Sequence, residues 1–404
     1  MADTIWSAFT HVPEDEWPAY VQQRASQGFT SLLISVLPIL HDMSNGGGRL
    51  PSPFSDFWDG RPRWGPAHPE YLARAARMLD FVVAAGMTPT LVALWCSYAP
   101  ATWASRDQPE FVLPDDALPD YLGSIVDALD RYDPVWVIAG DTDFADERTL
   151  ARYIDAEVQL RVLVPDAVTA MHTQPTTYLP DALVELPQAA FYGYQSGHVL
   201  EQQQAAWQIA EHYQRVSVRR PVIDLEPPYE GHGHGFRYGR FSAADVRRAS
   251  WQALCAGASA GIGYGAHGVW QWHHTGDVFS HTDFSSMPFD RQVALRFHGA
   301  DDVATAARMI VDLGLLGAPG RQDLLVDPPP AIRALARDGR LAVYLPYARD
   351  IQLAEGVAVR DGYAWDPATG RRHDLELDTE NVLAQVTWNG DALLVLDVDG
   401  LGTP

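Results

Sequence analysis

Two acidic residues each follow a short apolar run, which is the pattern of a carboxylate placed at the end of a buried strand. Asp141 comes after VWVIAG, and Glu226 closes VIDLE. A carboxylate at a buried strand end is costly unless it is paired or used. Two carboxylates that meet can cleave a glycosidic bond, because one protonates the leaving oxygen while the other attacks the anomeric carbon or activates water.

Three further acids compete for these two roles. Asp143 is two residues beyond Asp141, and residues two apart in an extended segment share a face. We expect Asp141 to be the acid/base, with Asp143 capping the next helix or positioning sugar hydroxyls. Glu230 lies in a loop beyond two prolines and is the rival of Glu226 as nucleophile. Asp224, two residues before Glu226, is expected to be a buried and hydrogen-bonded acid.

Histidines form the second group that could do chemistry. His172 ends the expected fifth strand, within AMHTQ, and His267 lies in GAHGVW within the expected eighth strand. Each is a candidate for substrate contact or for a structural role. The clusters GHGHG and WHH hold four more, namely His232, His234, His273 and His274. Alternating histidines in a glycine-rich loop can bind zinc, but no carboxylate spacing supports it, so we predict no metal and no cofactor.

Aromatic residues gather near the ends of the same apolar runs, namely Trp6, Trp95, Tyr192, Tyr194, Tyr264, Trp270 and Trp272. Sugars place their C–H faces on aromatic rings, while their hydroxyls need hydrogen-bonding side chains such as that of Gln195. Some of these rings are expected to pack in the core. We predict sugar contacts by Trp6, Trp95, Tyr192 and Trp270, with Trp6 and Trp270 as the preferred platforms.

A long segment, residues 38–70, separates the second apolar run from the next helix and is rich in Gly, Pro and aromatic residues. A segment of this length without secondary structure usually has a function. Its residues Asn45, Phe54, Trp58 and Trp64 could wall one side of a pocket, or pack as a lid without ligand contact.

The elements that would position these residues alternate along the chain. Runs such as TIWSAF, FTSLLISVL and AVTAMHTQ are followed by longer amphipathic stretches. Eight such repeats in about 315 residues predict a (β/α)8 TIM barrel, with Asp141 ending strand four and Glu226 ending strand seven on the rim that carries active sites. A doubly wound sheet is the alternative, but no glycine-rich phosphate fingerprint follows the first strand.

Beyond residue 322 the pattern changes to short alternating runs separated by turns such as Asp-Gly and Asn-Gly. This change predicts a small antiparallel β-sandwich domain over residues 323–404, after a catalytic barrel over residues 1–322. The role of the second domain is open between a structural support and a sugar-binding module.

Composition and charge exclude several classes of protein. The 404 residues carry a net charge of −23, and 47% of them are hydrophobic, which is enough for a core larger than that of one average domain. No basic stripe is visible, so we predict no binding to nucleic acid. All 29 basic residues are arginine, which excludes lysine Schiff-base chemistry and lysine-bearing phosphate loops.

Targeting signals are not evident in the sequence. The N-terminal segment lacks a basic region followed by an apolar run, so no signal peptide is predicted. No window of about 20 residues is apolar and uncharged, so we predict no membrane span. Cys96 and Cys255 lie in apolar contexts and are expected to be reduced packing thiols. A cytoplasmic protein is favoured, and the oligomeric state is unknown.

Six stretches along the chain carry a resemblance to a known family, namely DTIW, RASQGFTSL, VWVIAGDTD, PVIDLEPPYEG, GIGYGAHGVWQW and YAWDPATG. Jointly they resemble the apiosidase-like family, glycoside hydrolase family 140 and its relatives, over essentially the whole chain. That resemblance implies a retaining, exo-acting glycosidase, described for β-linked apiofuranose. It also implies Asp141 as acid/base, where most of the wider clan has glutamate, and Glu226 as nucleophile.

Two features depart from the family pattern. Many relatives carry a secretion signal, whereas none is predicted for this chain. This difference puts a polymeric extracellular substrate in doubt. Ala139 stands where relatives often have a second glycine. Neither difference touches the two carboxylates.

The sequence therefore predicts a retaining, exo-acting glycoside hydrolase that removes a terminal sugar from a small glycoside or oligosaccharide. A furanoside such as a β-apiofuranoside is the expected substrate, and carbohydrate is the only expected partner. The alternatives are a metal-dependent barrel hydrolase that uses the histidines and a carbohydrate-binding barrel without catalysis.

Overall fold

A computed structural model describes residues 1–41, 51–187, 189–375, 382–383 and 388–401. Its first eight strands are parallel: β1 (Ala2–Thr4), β2 (Ser31–Ser35), β3 (Thr88–Trp95), β4 (Val135–Gly140), β5 (Thr169–Ala170), β6 (Tyr192–Gln195), β7 (Val222–Glu226) and β8 (Gly261–Tyr264). Hydrogen bonding joins them in the order β5-β4-β3-β2-β1-β8-β7-β6. Each strand thus pairs with its neighbour in sequence, and β1 pairs with β8.

The remaining junction, between β5 and β6, is bridged by residues beside the strands. Thr169 forms an isolated parallel bridge with Ala189, and the Ala190 N–H donates to the Thr169 carbonyl at 2.8 Å. The sheet is therefore nearly closed, which confirms the predicted TIM barrel over the doubly wound alternative.

Helices connect the strands and cover the barrel. The described residues form α1 (Ala8–His11), α2 (Trp17–Gln27), α3 (Pro69–Ala84), α4 (Trp103–Asp107), α5 (Leu118–Leu129), α6 (Glu147–Leu163), α7 (Asp181–Val184), α8 (Ala205–Tyr213), α9 (Ala243–Cys255), α10 (Thr282–Ser285), α11 (Arg291–Ala294) and α12 (Gly299–Asp312). Their apolar residues recur every three or four positions, as in α5, where Leu118, Leu122, Ile125 and Leu129 are buried. This spacing turns one face of each helix toward the sheet.

Strand lengths differ from the sequence prediction at the ends. β1 stops at Thr4 and β8 stops at Tyr264, so neither TIWSAF nor GIGYGAHGVWQW is a strand throughout. A Cβ at Gly265 would lie 2.1 Å from the Tyr229 ring, and the chain then makes tight turns, with the Val269 N–H bonded to the Ala266 carbonyl at 2.9 Å. His267 is therefore in a loop, and its assignment to the eighth strand was wrong.

The C-terminal region is an antiparallel β domain, as predicted. Its strands are β9 (Arg333–Arg337), β10 (Arg340–Leu345), β11 (Ile351–Gln352), β12 (Ala358–Asp366), β13 (Arg371–Asp374), β14 (Val382–Leu383) and β15 (Ala392–Asp399). Five form one sheet in the order β13-β12-β15-β10-β9, and β11 pairs with β14. Aliphatic residues such as Leu341, Val343, Leu394 and Leu396 fill its own core.

The β domain packs on the barrel through α9. The Trp251 ring lies 6.2 Å from that of Tyr344 and 5.9 Å from that of Trp365. Arg247 on the same helix forms ion pairs with Asp391 at 2.9 Å and Asp302 at 2.7 Å. The boundary between residues 322 and 323 stays a prediction; α12 ends at residue 312 and β9 begins at residue 333.

Two smaller findings concern the sequence predictions. Cys96 and Cys255 are buried and free of disulfides. Across the described part of the chain, no helix is long and apolar enough to cross a membrane.

Candidate active site

A cavity of about 460 Å³ opens at the ends of the barrel strands. Asp141, directly after β4, and Glu226, the last residue of β7, both line it, and they are 8% and 6% exposed. The carboxyl ends of parallel strands meet on one rim of a closed barrel, which is why residues 85 positions apart share one hollow. The two predicted acids are thus buried yet in contact with the same cavity.

Two histidines face the Glu226 carboxylate. His198 places Nε2 3.0 Å from one oxygen, in a hydrogen bond. His172 places Nε2 3.2 Å from the other oxygen, at an angle short of a well-formed hydrogen bond. Each carboxylate oxygen therefore has its own imidazole, and we call this arrangement the histidine clamp.

The backbone fixes which nitrogen of each imidazole carries the proton. Nδ1 of His172 accepts the Asp141 N–H at 2.9 Å, and Nδ1 of His198 accepts the Tyr229 N–H at 3.3 Å. A ring nitrogen that accepts a hydrogen bond has no proton, so in the neutral rings the proton is on Nε2. In their neutral forms, both histidines thus present an N–H to Glu226.

The clamp sets the charge of Glu226. Burial raises the pKa of this carboxyl, but hydrogen bonding and attraction from His172 and His198 outweigh burial and bring the pKa to about 2. The group is therefore ionised throughout the neutral range, as a nucleophilic carboxylate must be.

Asp141 is held by its main chain. Its N–H donates to His172, and its carbonyl accepts the indole N–H of Trp103 at 3.0 Å. Its φ of 51° lies in the left-handed region, an uncommon backbone for a residue with a side chain, and such outliers gather at functional sites. The carboxyl oxygen Oδ2 lies 4.0 Å from Nε2 of His41.

The preceding residue has to be glycine. A Cβ on Gly140 would lie 2.4 Å from the Trp95 ring and 2.8 Å from Val92. Ring atoms at that distance would have to move, and Trp95 is part of the cavity wall. Gly140 therefore leaves room for Trp95 in the cavity wall, and Asp141 makes the turn that brings its carboxyl to the cavity.

The three competing acids have other positions. Asp143 does not line the cavity and accepts the Ala145 N–H at 3.3 Å in a turn, while Asp146 caps α6. Glu230 accepts the Tyr264 hydroxyl at 2.9 Å and the Gly299 N–H at 2.8 Å. It thus holds the start of α12 and lies outside the cavity, so its place does not suit a nucleophile.

Asp224 faces the barrel interior as a hydrogen-bonded acid. Its carboxyl oxygens accept the Ser196 N–H at 3.3 Å and the Ser196 hydroxyl at 2.7 Å. Burial raises its pKa to about 7, although the bonds from Ser196 lower it. This acid is fully buried and has no access to substrate.

Four of the eight predicted substrate-binding residues line the cavity, namely Trp6, Trp95, Gln195 and Trp270. Trp6 donates its indole N–H to the Tyr229 hydroxyl at 2.6 Å and packs on Trp95 with ring centres 5.1 Å apart. His172 lies behind this wall, at 5.7 Å from the Trp6 ring. Its part is to join Glu226 to the Asp141 backbone.

The structure places Tyr192 and His267, like Asp143, outside the cavity wall. Tyr192 begins β6, at the end opposite the rim; its ring stacks on Tyr213 at 4.5 Å and its hydroxyl bonds to Val218 O at 2.8 Å. His267 is fully buried, with Nε2 2.8 Å from the Ser286 carbonyl. A direct sugar contact by these side chains does not fit their positions.

Sequence reasoning missed several residues of the wall, namely His41, Trp103, His198, Tyr229, His281 and Phe284, and it considered His232 only as a possible metal ligand. His198 follows β6 by three residues, so the strand-end rule that singled out His172 would also have found it. The others lie in the segments that connect strands to the main helices, with Trp103 in the short helix α4 and Phe284 in the short helix α10. No local pattern shows where such a segment folds back over the barrel.

The described part of the predicted long loop lies mostly aside from the cavity. Phe54 and Phe57 are buried, and Phe54 packs on Trp64 at 4.9 Å, while Trp58 packs on Phe57 at 4.9 Å. Asn45 lies outside the described residues. From the described part of this loop, Ile39 and His41 reach the cavity.

The histidines of the GHGHG and WHH clusters do not converge as metal ligands. Nδ1 of His232 lies 2.7 Å from the Gly233 carbonyl, and the His234 ring packs on Phe241 at 4.7 Å. Among the described residues, no group of three or more His, Cys, Asp or Glu could hold a metal ion.

Comparison with known proteins identifies the family. Residues 1–316 match the family described as "Apiosidase-like, catalytic domain". A search of the curated proteins finds no match.

Solved structures show the same fold. A glycoside hydrolase superposes with a TM-score of 0.80 at 17% identity, covering 98% of this chain and 92% of that one. A glycoside hydrolase family 5 structure from Bacteroides vulgatus also gives a TM-score of 0.80, at 16% identity, with 98% and 88% of the two chains covered. At these identities, the likeness concerns the fold.

Proposed function

The chain belongs to the apiosidase-like family of glycoside hydrolases, and we propose that it is a retaining, exo-acting enzyme that releases a terminal furanose such as β-apiofuranose. The observation that carries the proposal is the histidine clamp. It keeps the Glu226 carboxylate ionised, with a pKa of about 2, in the cavity that Asp141 also lines. A retaining glycosidase needs one carboxylate that attacks and a second that exchanges a proton.

In the first step, an oxygen of Glu226 attacks the anomeric carbon. The bond between that carbon and the leaving oxygen breaks, and the Asp141 carboxyl gives its proton to the leaving oxygen. The products are a glycosyl ester on Glu226, a free alcohol and an ionised Asp141. As the carboxylate becomes an ester, its charge is lost, and the His198 N–H at 3.0 Å remains as a donor to the ester oxygen.

In the second step, Asp141 takes a proton from water as the water oxygen attacks the same carbon. The ester bond breaks, Glu226 leaves as a carboxylate, and Asp141 returns to its acid form. Glu226 is a good leaving group in this step because the histidine clamp stabilises its anion. Two displacements restore the original anomeric configuration.

Exo action is supported by the shape of the cavity. Its inner end is closed by Trp6, Trp270 and Tyr229, each no more than 4% exposed. A volume of about 460 Å³ suits one sugar and part of a leaving group. The furanose and its β linkage rest on the family resemblance, and a cytoplasmic location stays a prediction from the sequence.

A panel of 4-nitrophenyl furanosides and pyranosides tests the proposal, with the anomer first released followed by NMR. We expect hydrolysis of a β-furanoside with release of the β anomer before mutarotation. First release of the opposite anomer would overturn the covalent mechanism. Hydrolysis of pyranosides alone would overturn the furanoside assignment.

A chelator separates this proposal from the metal-dependent alternative. We expect incubation with excess EDTA, followed by removal of the chelator, to leave kcat/KM unchanged. Loss of activity that Zn²⁺ restores would favour a metal-dependent hydrolase. Binding of the furanosides without any turnover would favour the carbohydrate-binding barrel.

A further inference from the structure

The cavity has two walls that differ in burial. The inner wall consists of Trp6, Trp95, Tyr229 and Trp270, and these side chains are 2%, 3%, 2% and 4% exposed. The outer wall consists of His41, Trp103, His281, Phe284 and Phe236, of which the first four are half-buried and Phe236 is 74% exposed. The difference in burial shows which end of the cavity opens to solvent.

The acid/base belongs to the outer wall. The Trp103 indole N–H donates to the Asp141 carbonyl at 3.0 Å, and His41 Nε2 lies 4.0 Å from the Asp141 carboxyl. Aromatic contacts continue outward, because His41 packs on Trp103 at 4.6 Å and on His281 at 6.4 Å. The leaving oxygen has to lie beside the acid that protonates it, so the leaving group lies along this wall.

The outer wall ends in an apolar corner. Phe236 and Phe284 have ring centres 5.1 Å apart and planes at 62°. Neither ring has a hydrogen-bonding atom. A sugar leaving group could place a C–H face on these rings, but neither ring offers a partner to its hydroxyls. A flat aromatic group has no hydroxyls to satisfy and can bury its apolar faces on both rings.

The exposed position of Phe236 is maintained against a conformational preference. Its φ is 48°, in the left-handed region that a bulky side chain rarely adopts. Such a backbone persists only where the surroundings hold it, and it often marks a functional segment. Gly235 beside it also has a positive φ, of 62°, so the two residues form the tip of a short hairpin.

Contacts on both sides hold this hairpin in place. Gly233 and Arg240 form an antiparallel bridge, and Arg237 pairs with Glu201 at 2.7 Å. The Arg240 guanidinium donates to the carbonyls of Gly231 at 2.6 Å and Met287 at 2.8 Å. A segment fixed this way presents Phe236 beside the cavity before any ligand arrives, which lowers the ordering cost of binding.

We propose that Phe236 and Phe284 form a leaving-group subsite for a neutral, flat aromatic aglycone. The inference rests on the proposed function, because a leaving group exists only if the cavity cleaves a glycoside. Asp283 lies on the same side of the cavity and adds a negative charge, which disfavours anionic leaving groups. The substrate class is therefore an aromatic glycoside with a single terminal sugar.

Three β-apiofuranosides with methyl, benzyl and glucosyl leaving groups test the subsite. All three release an alkyl alcohol, so the intrinsic reactivity of the glycosidic bond is similar and differences in KM report contacts of the leaving group. We expect wild-type KM for the benzyl compound to be about tenfold lower than for the methyl compound, because the benzyl ring buries one face against Phe236 and Phe284.

Phe236→Ser should raise KM for the benzyl compound by about tenfold, close to the value for the methyl compound. The effect on the methyl compound should be much smaller, because a methyl group does not reach the corner. The matched control is Tyr238→Ser. Tyr238 is fully exposed on the same hairpin and does not line the cavity, so this variant should leave all three KM values unchanged.

Several outcomes would overturn the inference. One is hydrolysis of all three compounds without a preference for benzyl. Another is an equal rise in KM for methyl and benzyl in Phe236→Ser, which would show a general disturbance of the site. A larger loss for the glucosyl compound would make the corner a sugar subsite. If the wild type hydrolyses none of the three, the proposed function fails, and the inference fails with it.

Discussion

The ends of strands β7 and β4 each carry a carboxylate, and the protein holds them in opposite ways. Glu226 is held through its side chain, because His198 and His172 face its two carboxylate oxygens at 3.0 and 3.2 Å. Asp141 is held through its main chain, because its N–H donates to His172 and its carbonyl accepts the indole N–H of Trp103. The first arrangement fixes the charge of a carboxylate, while the second fixes the position of a residue whose Oδ2 lies 4.0 Å from Nε2 of His41.

This difference matches the two roles that the proposed retaining mechanism gives to Glu226 and Asp141. The nucleophile must be ionised before every turnover, so contacts to its oxygens are useful. The acid/base must lose and regain a proton in each cycle, so its carboxyl has to be held in place beside the leaving oxygen. His172 touches both residues, so it sets the relative position of the two groups. Mutations of the two carboxylates and of the histidines around them test this difference.

Replacing the nucleophile should have the largest effect. Glu226→Gln removes the attacking charge while keeping the shape, and kcat should fall by at least about 10⁴-fold. Steady-state kinetics on the best substrate measures the loss. The matched control is Glu230→Gln, because Glu230 lies outside the cavity on Tyr264 and Gly299. That control should lower the melting temperature with kcat within a few-fold of wild type, and the reverse pattern would identify Glu230 as the nucleophile.

Replacing the acid/base should depend on the leaving group. Asp141→Asn should lower the rate of glycosyl transfer from an alkyl furanoside by about 10³-fold, and much less from a 4-nitrophenyl furanoside, which leaves without a proton. Single-turnover kinetics separates this step from hydrolysis of the ester. Asp143→Asn serves as control and should change both rates little. Equal losses for the two leaving groups in Asp141→Asn would contradict its role as acid.

The histidine clamp should control the acid side of the pH profile. In the wild type the pKa of Glu226 is depressed from 4.5 to about 2. This group's share of folding stability should therefore be lost as pH falls from about 4.5 toward 2, whereas the activity that depends on its charge should be lost only as pH approaches about 2. His198→Ala removes one donor and leaves burial to raise the pKa. The acid limb of kcat/KM should then move upward, with a loss of about 10-fold or more at pH 5.

The two histidines should not be equivalent. His172→Ala removes a contact to Glu226 and also the acceptor of the Asp141 N–H. It should therefore lower the rate for alkyl leaving groups more than for nitrophenyl ones, while His198→Ala lowers both alike. An unmoved acid limb in both variants would show that the clamp does not set the charge of Glu226.

The smallest effect concerns stability alone. Asp224 has its pKa raised to about 7 by burial, despite the bonds from Ser196, so its neutral form is favoured in the folded state. Stability should therefore fall as pH rises from about 4 to 7, by at most about 1.4 kcal/mol per pH unit from this group. Asp224→Asn keeps a neutral side chain that can bond to Ser196, and urea unfolding should show a flatter pH dependence over that window. An unchanged slope would contradict the raised pKa.

Much of the site followed from one rule about strands. An apolar run that ends in a carboxylate placed Asp141 and Glu226 correctly on one rim, because in a closed parallel barrel all carboxyl ends share that rim. The same rule applied to aromatic residues succeeded for Trp95, which ends β3, and misplaced Tyr192, which begins β6. A ring needs to be at the correct end of a strand, and the boundaries of short strands are the least certain part of a sequence prediction.

The histidine clamp could not be predicted from sequence patterns. His172 and His198 follow different strands, and their role comes from backbone N–H groups of Asp141 and Tyr229 that fix each ring. No spacing along the chain encodes those bonds. The outer wall likewise comes from separate loops, and Phe236 and Phe284 meet only after both loops fold over the rim.

The barrel, the antiparallel tail and the pair of acids could be predicted from sequence, because hydrophobic periodicity and strand-end carboxylates are local features that can be read without knowledge of contacts. The structure was needed to show which histidines face Glu226, which groups hold the Asp141 backbone, and which aromatic rings line the cavity or pack behind it. Those choices depend on distances between segments far apart in the chain, and these distances are set by how the loops close over the barrel.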